Sequence, residues 1–486
     1  MPVSHLTDFS DRLSPMLVKE LRQGMRARSF TMLFLTFQLL LAFILLIAGS
    51  LAGSEDAGSI VSGVIFTMFV FATLFIQPMR GNTALSGEIS GNTIEMMVLT
   101  RLSASRIVLG KWIALVSQSA LILITIIPYL ILRYFYGGMV LLGEMVFLLL
   151  IFLTSMALSA VTVGLSGNSA KLLRVLPVIG FIFMIQAVTG LFFRGGGFSE
   201  FVNFCTLSDW PSRAAILGYI VFISYISWCA LSYGTSVIAP IAENHSTVRR
   251  LVALVLALAA VAVGSHDDVS PMAMPVIFGI ILAPAVVTAL TEKSTLLPPV
   301  CAPFLRRGLP GQIASIFLLP GWPTGIFYTA LLLAISVCGM VVATRANPGS
   351  FYPIEAHIVS LSILGAILLP ALLASNFSRQ ETKRFNNFII FLLLSGIMSI
   401  GLMIITNTNH SEKYLWYFIW NPLVFMPMLA ESQFAKSQLL DAVVIVDAVL
   451  LALLLVTGVV AFRRYRDVFR DAREEIAKQR TPPPSP

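Results

Sequence analysis

Long, uninterrupted runs of apolar residues alternate with short polar stretches along the chain. Twelve of these runs have about the 20 residues that an α-helix needs to cross the hydrocarbon core of a bilayer. We place them at residues 30–51, 60–77, 112–132, 145–166, 175–193, 214–238, 250–264, 273–290, 322–343, 357–374, 388–405 and 440–462. Because the runs are continuous and do not alternate between apolar and polar residues, helices are favoured over a transmembrane β-barrel. The pattern predicts an all-α polytopic membrane protein with about 12 transmembrane helices.

A further apolar stretch, Lys413–Ala430, competes for a thirteenth crossing. It is rich in tyrosine and tryptophan, which collect at membrane–water interfaces, and the pair Asn421-Pro422 interrupts it near its middle. A full crossing here would also place the cation-rich tail on the outer side of the membrane. We therefore predict a re-entrant or interfacial hairpin on the outer side, before the last span.

Composition and charge agree with a membrane protein. Of the 486 residues 57% are hydrophobic and only 12% are charged, which is too apolar for a single soluble core. The net charge is +8, and with a cytoplasmic N-terminus 26 of the 32 lysines and arginines fall in cytoplasmic segments. This asymmetry is what the positive-inside rule requires, and it accounts for the excess charge without a nucleic-acid partner. We predict that both termini are cytoplasmic and that the chain is integral to the cell (cytoplasmic or inner) membrane.

Residues 1–29, which precede the first span, have the pattern of an amphipathic helix. Ser14-Pro15 supplies a capping hydroxyl and a proline at the first helical position. An apolar stripe follows at a spacing of four residues, at Leu17, Leu21 and Met25. Charged residues occupy other positions, at Lys19, Glu20, Arg22 and Arg26. Such a helix lies in the headgroup layer, either as a plain anchor or as an elbow helix that also contacts a cytoplasmic partner.

The loop between the second and third spans, about 78–111, contains two predicted helical segments. Thr93–Leu99 is a short helix with Glu95 in its first turn, where the helix dipole favours an acid. Leu102-Ser103 caps a second helix, which carries Arg106 and Lys111 ahead of the third span.

This loop resembles the cytoplasmic signature of ABC-2-type ABC transporter permeases, the transmembrane subunits of these transporters. That signature is an acid, Gly-Thr-Leu-Glu, an apolar run, Thr-Pro-Leu-Ser and an apolar helix ending in Leu-Gly-Lys. The matching residues, in register and without a gap, are Glu88, Thr93-Ile94-Glu95, Met96–Leu99, Thr100, Leu102-Ser103 and Ile107–Lys111. Asn92 and Arg101 stand where the family has glycine and proline. The segment Pro15–Gln23 is similar to the elbow of one permease subgroup.

The resemblance implies the permease subunit of an ATP-driven ABC transporter, working as an exporter. A separate ABC ATPase subunit docks beneath such a permease and carries the ATP, so the chain itself binds no cofactor and is not an enzyme. The implied ATPase-coupling loop consists of Glu88, Thr93, Glu95, Leu102, Ser103, Arg106, Gly110 and Lys111. Family members also work as pairs, which implies a homo- or hetero-dimer of permease units surrounded by membrane lipids. Ser105–Lys111 ends in Gly-Lys but lacks the other residues of a phosphate-binding P-loop.

The chain also has the length of two fused six-span ABC-2-type units. We predict a first unit at 30–240, which contains the coupling loop, a second unit at 241–462 and a cytoplasmic tail at 463–486. The second unit's counterpart of the coupling loop, about 291–321, contains four prolines and matches the signature only faintly. If the doubling holds, we expect the two units to be asymmetric.

Two further patterns bear on function. Asp447 lies inside the last span and is a candidate intramembrane polar site, either as an interhelical or water-facing group or as a proton relay. A relay would suit the alternative function, an ion-coupled secondary transporter with 12 spans. The triplet His266-Asp267-Asp268 lacks a second ligand cluster, and the four cysteines lie far apart, so we predict neither a metal site nor a disulfide framework. A membrane-embedded enzyme is disfavoured, because no set of catalytic residue types converges on one membrane face.

Overall fold

The computed structural model describes residues 15–50, 57–91, 103–135, 140–167, 197–240, 243–266, 269–348, 353–378, 380–409, 412–430, 435–463 and 465–480. These residues form helices and their connections, with no β-strand among them. Eleven helices in this part of the chain are long and apolar enough to cross a membrane. They coincide with eleven of the twelve predicted spans, and the remaining one, at 175–193, lies outside the described residues. The prediction of a polytopic helical membrane protein is confirmed.

By their internal contacts the residues divide into two compact units, Met1–Ala239 and Pro240–Pro486. The described part of the first unit contains nine α-helices. They are α1 Pro15–Arg26, α2 Arg28–Ser50, α3 Ala57–Val70, α4 Gln77–Gly81, α5 Ala84–Ser90, α6 Ala104–Tyr134, α7 Leu141–Ser166, α8 Gly197–Phe204 and α9 Trp210–Ile238. The boundary between the units lies beside the predicted one, but whether the halves are functional repeats stays a prediction.

Local sequence explains two features of the first unit. The described residues start at Pro15, and Pro15–Arg26 is helical, as the amphipathic pattern predicts. The helix predicted to follow Ser103 and the third span are one continuous helix, α6. They are continuous because Ile107 and Val108, both fully buried, extend the apolar face of the span into the loop.

The core of the first unit is formed by apolar side chains of α2, α3, α6 and α7. Phe66 of α3 stacks on Phe147 of α7, with 5.0 Å between the ring centroids. Phe201 of the short helix α8 packs edge-on against the Phe147 ring, also at 5.0 Å. Helices α7 and α9 approach through Gly164 and Gly234, since a Cβ at Gly164 would overlap the backbone of α9. Small residues commonly permit such close helix contacts in membrane proteins.

A π-helical turn, Phe71–Ile76, interrupts the second span directly before Pro78. Proline has no N–H with which to bond a carbonyl one turn back. The Gln77 N–H reaches the Ala72 carbonyl five residues back, and the Ser155 hydroxyl donates to the Thr73 carbonyl at 2.8 Å. A side chain of the neighbouring helix therefore compensates for the missing backbone donor. The regular backbone hydrogen bonds of the span are interrupted here, close to the coupling loop.

The described part of the second unit contains ten α-helices. They are α10 Ser246–Gly264, α11 Met274–Thr291, α12 Pro298–Leu305, α13 Gly308–Leu318, α14 Trp322–Ala346, α15 Pro353–Phe377, α16 Arg384–Asn409, α17 Phe425–Ala430, α18 Lys436–Phe462 and α19 Tyr465–Arg480. Helix α10 begins before the predicted position 250. It does so because Arg249 and Arg250, which the sequence pattern places in a loop, are buried and bonded inside the unit.

Residues 412–430 contain no long helix among those described. They form two 3₁₀ turns, Glu412–Phe418 and Pro422–Val424, and then α17. The break falls at Asn421-Pro422, as the sequence predicts. Several apolar side chains of this segment are fully buried against α15, α16 and α18, including Leu415, Phe425 and Met428.

The tip of this segment reaches the middle of the neighbouring helices. Asn421 is fully buried, and its carbonyl oxygen accepts a hydrogen bond of 2.7 Å from the Ser395 hydroxyl, near the middle of α16. Its amide donates to the Ser395 carbonyl and the Ser399 hydroxyl, both at 3.1 Å. Pro422 lies against Gly365, halfway along α15. This depth is the geometry of a re-entrant hairpin, in which polar side chains bond the irregular backbone inside the protein.

Replacing Gly365 with alanine is expected to destabilise the second unit by about 1–3 kcal/mol, the usual cost of overfilling a packed core. A Cβ at this position would overlap a carboxylate oxygen of Asp447 and the ring of Pro422. The matched control is Gly396→Ala in α16, where a Cβ meets no atom within 4 Å. Because alanine favours helix over glycine, the control should be neutral or slightly stabilising. Thermal unfolding midpoints in detergent measure the difference, and equal midpoints would contradict the packing of the hairpin against α15.

Candidate coupling surface and intramembrane carboxyl

Three charged side chains of the first unit meet in what we call the elbow clamp, formed by Glu20, Glu88 and Lys111. The Lys111 Nζ lies 2.9 Å from Glu20 Oε1 and 3.0 Å from Glu88 Oε1. The lysine side chain is only 8% exposed, so its charge depends on both carboxylates. Helices α1, α5 and α6 are therefore joined at a single ammonium group.

The elbow helix packs on α6 through part of the predicted apolar stripe. Met16 and Leu21 are buried, whereas Met25 of the predicted stripe is 37% exposed. A Cβ at Gly110 of α6 would lie 3.4 Å from the Met16 side chain, so α1 and α6 are closely packed at this point. Glu20, which is one helical turn after Met16, lies on the same side of the elbow helix and binds Lys111. The three elbow cations, Lys19, Arg22 and Arg26, remain exposed as predicted.

The structure brings together only part of the predicted coupling loop. Glu88, Gly110 and Lys111 converge at the elbow clamp. Ser103 and Arg106 lie exposed at the start of α6. The remaining three residues lie outside the described part of the chain, namely Thr93, Glu95 and Leu102. The surface beside the clamp is thus polar and accessible at the start of α6.

A second polar contact in the first unit was missed from sequence. Arg80 of α4 donates to the Gln77 side chain at 3.1 Å and also to the Gln118 side chain of α6. Its guanidinium lies over the Phe30 ring of α2, 5.5 Å from the centroid. Arg80 therefore ties three helices together close to the coupling loop, whereas its sequence position indicates only a loop cation.

The second unit holds a buried arginine cluster, formed by Arg249, Arg250, Glu292, Glu381 and Arg384. Arg249 and Arg250 are each 1% exposed, and both guanidinium groups bind the Glu292 carboxylate, the Arg250 contact being 2.7 Å. Burial alone would raise the pKa of Glu292. The charges of Arg250 and Arg249 outweigh burial, and the pKa lies below its ordinary value. The carboxylate thus stays ionised between two buried cations.

Arg250 also closes the turn between α13 and α14. It donates to the backbone carbonyls of Phe317, Leu319 and Gly321 at 2.6–2.9 Å. The Tyr328 hydroxyl donates to the Arg250 carbonyl at 2.7 Å. One side chain therefore bonds the carbonyl groups that α13 leaves unpaired at its C-terminal end.

Glu381 and Arg384 form the other half of the cluster. The Ser294 N–H donates to Glu381 Oε2 at 3.0 Å, and its hydroxyl donates to the other carboxylate oxygen. Burial opposes the ionisation of Glu381, but the Ser294 hydrogen bonds and Arg384 hold its pKa below the ordinary value. Arg384 stacks on the Trp322 ring at 3.9 Å. The ends of α11, α14 and α16 are thereby fixed to one another.

The counterpart of the coupling loop in the second unit is covered by the chain's own tail helix. Helix α19 packs on α12 through an apolar cluster that includes Cys301, Tyr465 and Ala472. Burial raises the pKa of the Cys301 thiol to about 11 and raises that of the Tyr465 hydroxyl as well. The loop at 291–321 is thus partly occupied, in contrast to the exposed start of α6.

Asp447 lies near the middle of α18 and is only 8% exposed. Neither carboxylate oxygen has a hydrogen-bond partner among the described residues. The side chain lies beside Gly365 at the tip of the re-entrant hairpin, and it lines a cavity of about 430 Å³ between α14, α15 and α18. The interhelical hydrogen bond considered for this residue from sequence is not found in the described part of the chain.

Metal-ligating side chains do not converge within the described residues, where no group of three or more His, Cys, Asp or Glu could hold an ion. His245 pairs with Glu243 at 3.0 Å. Asp267 and Asp268 of the histidine–aspartate triplet lie outside the described residues. Cys205, Cys229 and Cys301 are buried and Cys338 is exposed, and none of these four described cysteines forms a disulfide.

Comparison with known proteins adds no relative to these observations. The chain matches no protein-family model, and no match was found among curated proteins or solved structures.

Proposed function

We propose that this chain is the transmembrane permease subunit of an ATP-driven ABC transporter, an exporter of the cell membrane with both termini in the cytoplasm. The observation that supports it best is the elbow clamp. Glu88 and Lys111 occupy the acidic and lysine ends of the ABC-2-type signature. Lys111 binds both Glu88 and Glu20 of the elbow helix. A loop that transmits force from a partner needs this kind of fixed connection to the spans.

The mechanism follows from the continuity of α6. Ser103, directly before the helix, and Arg106 in its first turn form an exposed surface, and the same helix runs without a break to Tyr134. An ATPase that closes on ATP and pushes on this first turn would therefore tilt the whole third span. The elbow clamp passes the same motion to the elbow helix, and the π-helical turn at Phe71–Ile76 lets the second span bend with it.

The two units differ in what they offer to an ATPase. In the first unit the start of α6 is exposed. In the second unit, α12 lies under the tail helix α19, and the connections around it are closed by the arginine cluster. We therefore place the main ATPase contact on the first unit.

The experiment that tests the proposal is purification of the tagged chain in a mild detergent, with every co-purifying protein identified and quantified. The expected result is a P-loop ATPase in stoichiometric amount. If the chain remains folded, by its elution and unfolding behaviour, and no ATPase accompanies it at any detergent concentration, the permease proposal is wrong.

A second function, an ion-coupled secondary transporter, is favoured by one observation. Asp447 is a buried carboxyl without a hydrogen-bond partner in the described part of the chain, halfway through a span. Such a group is a candidate proton carrier. Transport by the purified chain in ATPase-free liposomes, driven by an imposed proton gradient and lost in Asp447→Asn, would favour this alternative over the permease.

A further inference from the structure

The cavity beside Asp447 has the size and walls of a small-molecule site. Its volume of about 430 Å³ falls within the range of ligand pockets in proteins. Most of its lining is leucine and valine from α14, α15 and α18. Its polar lining groups are three, His357 and Asp441 towards one end of the helices and Asp447 near the middle. A ligand that fills it must therefore be largely apolar, with few polar groups.

The charge that fits this cavity is positive. Two of its three polar lining groups are carboxyl groups, those of Asp441 and Asp447, and no lysine or arginine lines it. Lys436, in the first turn of the same helix as Asp447, is paired with Glu355. Leaving a carboxylate unpaired in an apolar site is costly, and a cation placed against it removes that cost.

The position of the Asp447 carboxyl group is set by Gly365. A side chain at this position would overlap a carboxylate oxygen of Asp447, so glycine makes room for the carboxyl group against α15, at the wall of the cavity that Asp447 lines. A bare metal ion fits poorly, because it needs several oxygen ligands and Asp441 lies six residues away along the helix. An organic cation needs only one carboxylate and gains from the apolar walls.

The cavity also has an apolar entrance. Val337 of α14 and Val444 of α18 line it and are 44% and 46% exposed on the surface of the unit. In a membrane these side chains face hydrocarbon, because both lie within spanning helices. An amphipathic molecule dissolved in the bilayer can therefore enter the cavity that Asp447 lines without passing through water.

We infer that this cavity binds an amphipathic organic cation, with its charge against the Asp447 carboxylate and its apolar body between α14, α15 and α18. The inference rests on the proposed function only in naming this molecule as a transported substrate. Binding itself needs neither an ATPase nor a gradient. The binding site and the permease proposal can therefore be wrong independently of each other.

The test is equilibrium binding of radiolabelled tetraphenylphosphonium to the purified full chain in detergent, with no ATPase present. We expect saturable binding that falls at least tenfold in affinity in Asp447→Asn, an exchange that keeps the side-chain shape. Glu243→Gln, an exposed acid of the same unit outside this lining, should change the affinity less than threefold. The anion tetraphenylborate, which has nearly the same shape, should not compete.

Each outcome decides the matter. No saturable binding to the wild-type chain, equal affinity in Asp447→Asn, or competition by tetraphenylborate equal to that by unlabelled cation would each overturn the site. The unfolding midpoint of Asp447→Asn should equal or exceed that of the wild type, because the exchange keeps the side-chain shape and removes a group whose ionisation is costly in an apolar site. Loss of binding would then report on the site and not on the fold. Failure of ATPase co-purification with binding intact would remove the permease proposal and leave the site.

Discussion

Glu292→Gln is expected to destabilise the second unit by about 3–5 kcal/mol, the cost of removing one partner from a buried ion pair. The reason is that Glu292 is the shared counter-ion of Arg249 and Arg250, which are each 1% exposed. The substitution leaves two buried guanidinium groups without a negative charge. It also weakens the turn before α14, since the Gly321 N–H donates to the same carboxylate at 3.1 Å.

The matched control is Glu243→Gln. Glu243 is 45% exposed and pairs with His245 at 3.0 Å, so its loss should cost at most about 1 kcal/mol. Thermal and denaturant unfolding of the detergent-solubilised variants measure both effects. A Glu292→Gln protein that unfolds at the same midpoint as Glu243→Gln would show that the arginine cluster does not stabilise the unit.

The same carboxylate gives a pH dependence with a definite sign. The pKa values of Glu292 and Glu381 are both held below the ordinary value in the folded chain. Their contribution to stability is therefore complete above the ordinary glutamate pKa, about 4.3, and is lost as the pH falls through the lowered folded values. The gap in unfolding midpoint between wild type and Glu292→Gln should be largest at pH 7 and narrow below pH 4.3 or so. A gap that is constant down to pH 3 would contradict this assignment.

The spans could be predicted from sequence because hydrocarbon imposes a length. Eleven predicted runs coincide with long apolar helices in the described residues, and the break at Asn421-Pro422 lies where proline predicts it. How deeply the segment 412–430 reaches between the neighbouring helices was harder to predict. That Asn421 reaches Ser395 depends on how α15 and α16 pack, which no local pattern records.

For the polar sites, the sequence identified some of the residues but not the contacts between them. Glu88 and Lys111 were selected from a motif, but their shared contact with Glu20 joins residues 91 positions apart and was invisible in the pattern. Arg249 and Arg250 look like ordinary cytoplasmic cations, because the positive-inside rule does not distinguish a hydrated arginine from a buried one. The available signal was Glu292, an acid directly after a span at the same predicted membrane face. Pairing acids with cations across span ends would have found the cluster.

Lys111→Met is expected to lower the amount of ATPase retained by the purified chain at least tenfold. The substitution keeps the length of the side chain but removes the ammonium group that binds Glu20 and Glu88. Two nearby carboxylates then repel each other, and α1 and α5 separate from α6 at the coupling loop. A tenfold loss corresponds to about 1.4 kcal/mol of binding free energy. Removing one partner of a buried ion pair can cost about 3–5 kcal/mol. Loss of the Lys111 contacts is therefore large enough to account for the expected loss of binding free energy.

Two variants separate coupling from simple loosening of the fold. Lys19→Met makes the same exchange on the exposed side of the elbow helix and should retain the ATPase at wild-type level. Arg106→Glu reverses an exposed charge in the first turn of α6 and leaves the elbow clamp intact. It should therefore reduce ATPase retention without changing the unfolding midpoint. If Lys111→Met lowers the midpoint while Arg106→Glu retains the ATPase fully, the clamp is structural and the partner docks elsewhere. Reduced retention in both, with Lys19→Met unaffected, would place the ATPase at the start of α6, where a push on a continuous helix moves the whole third span.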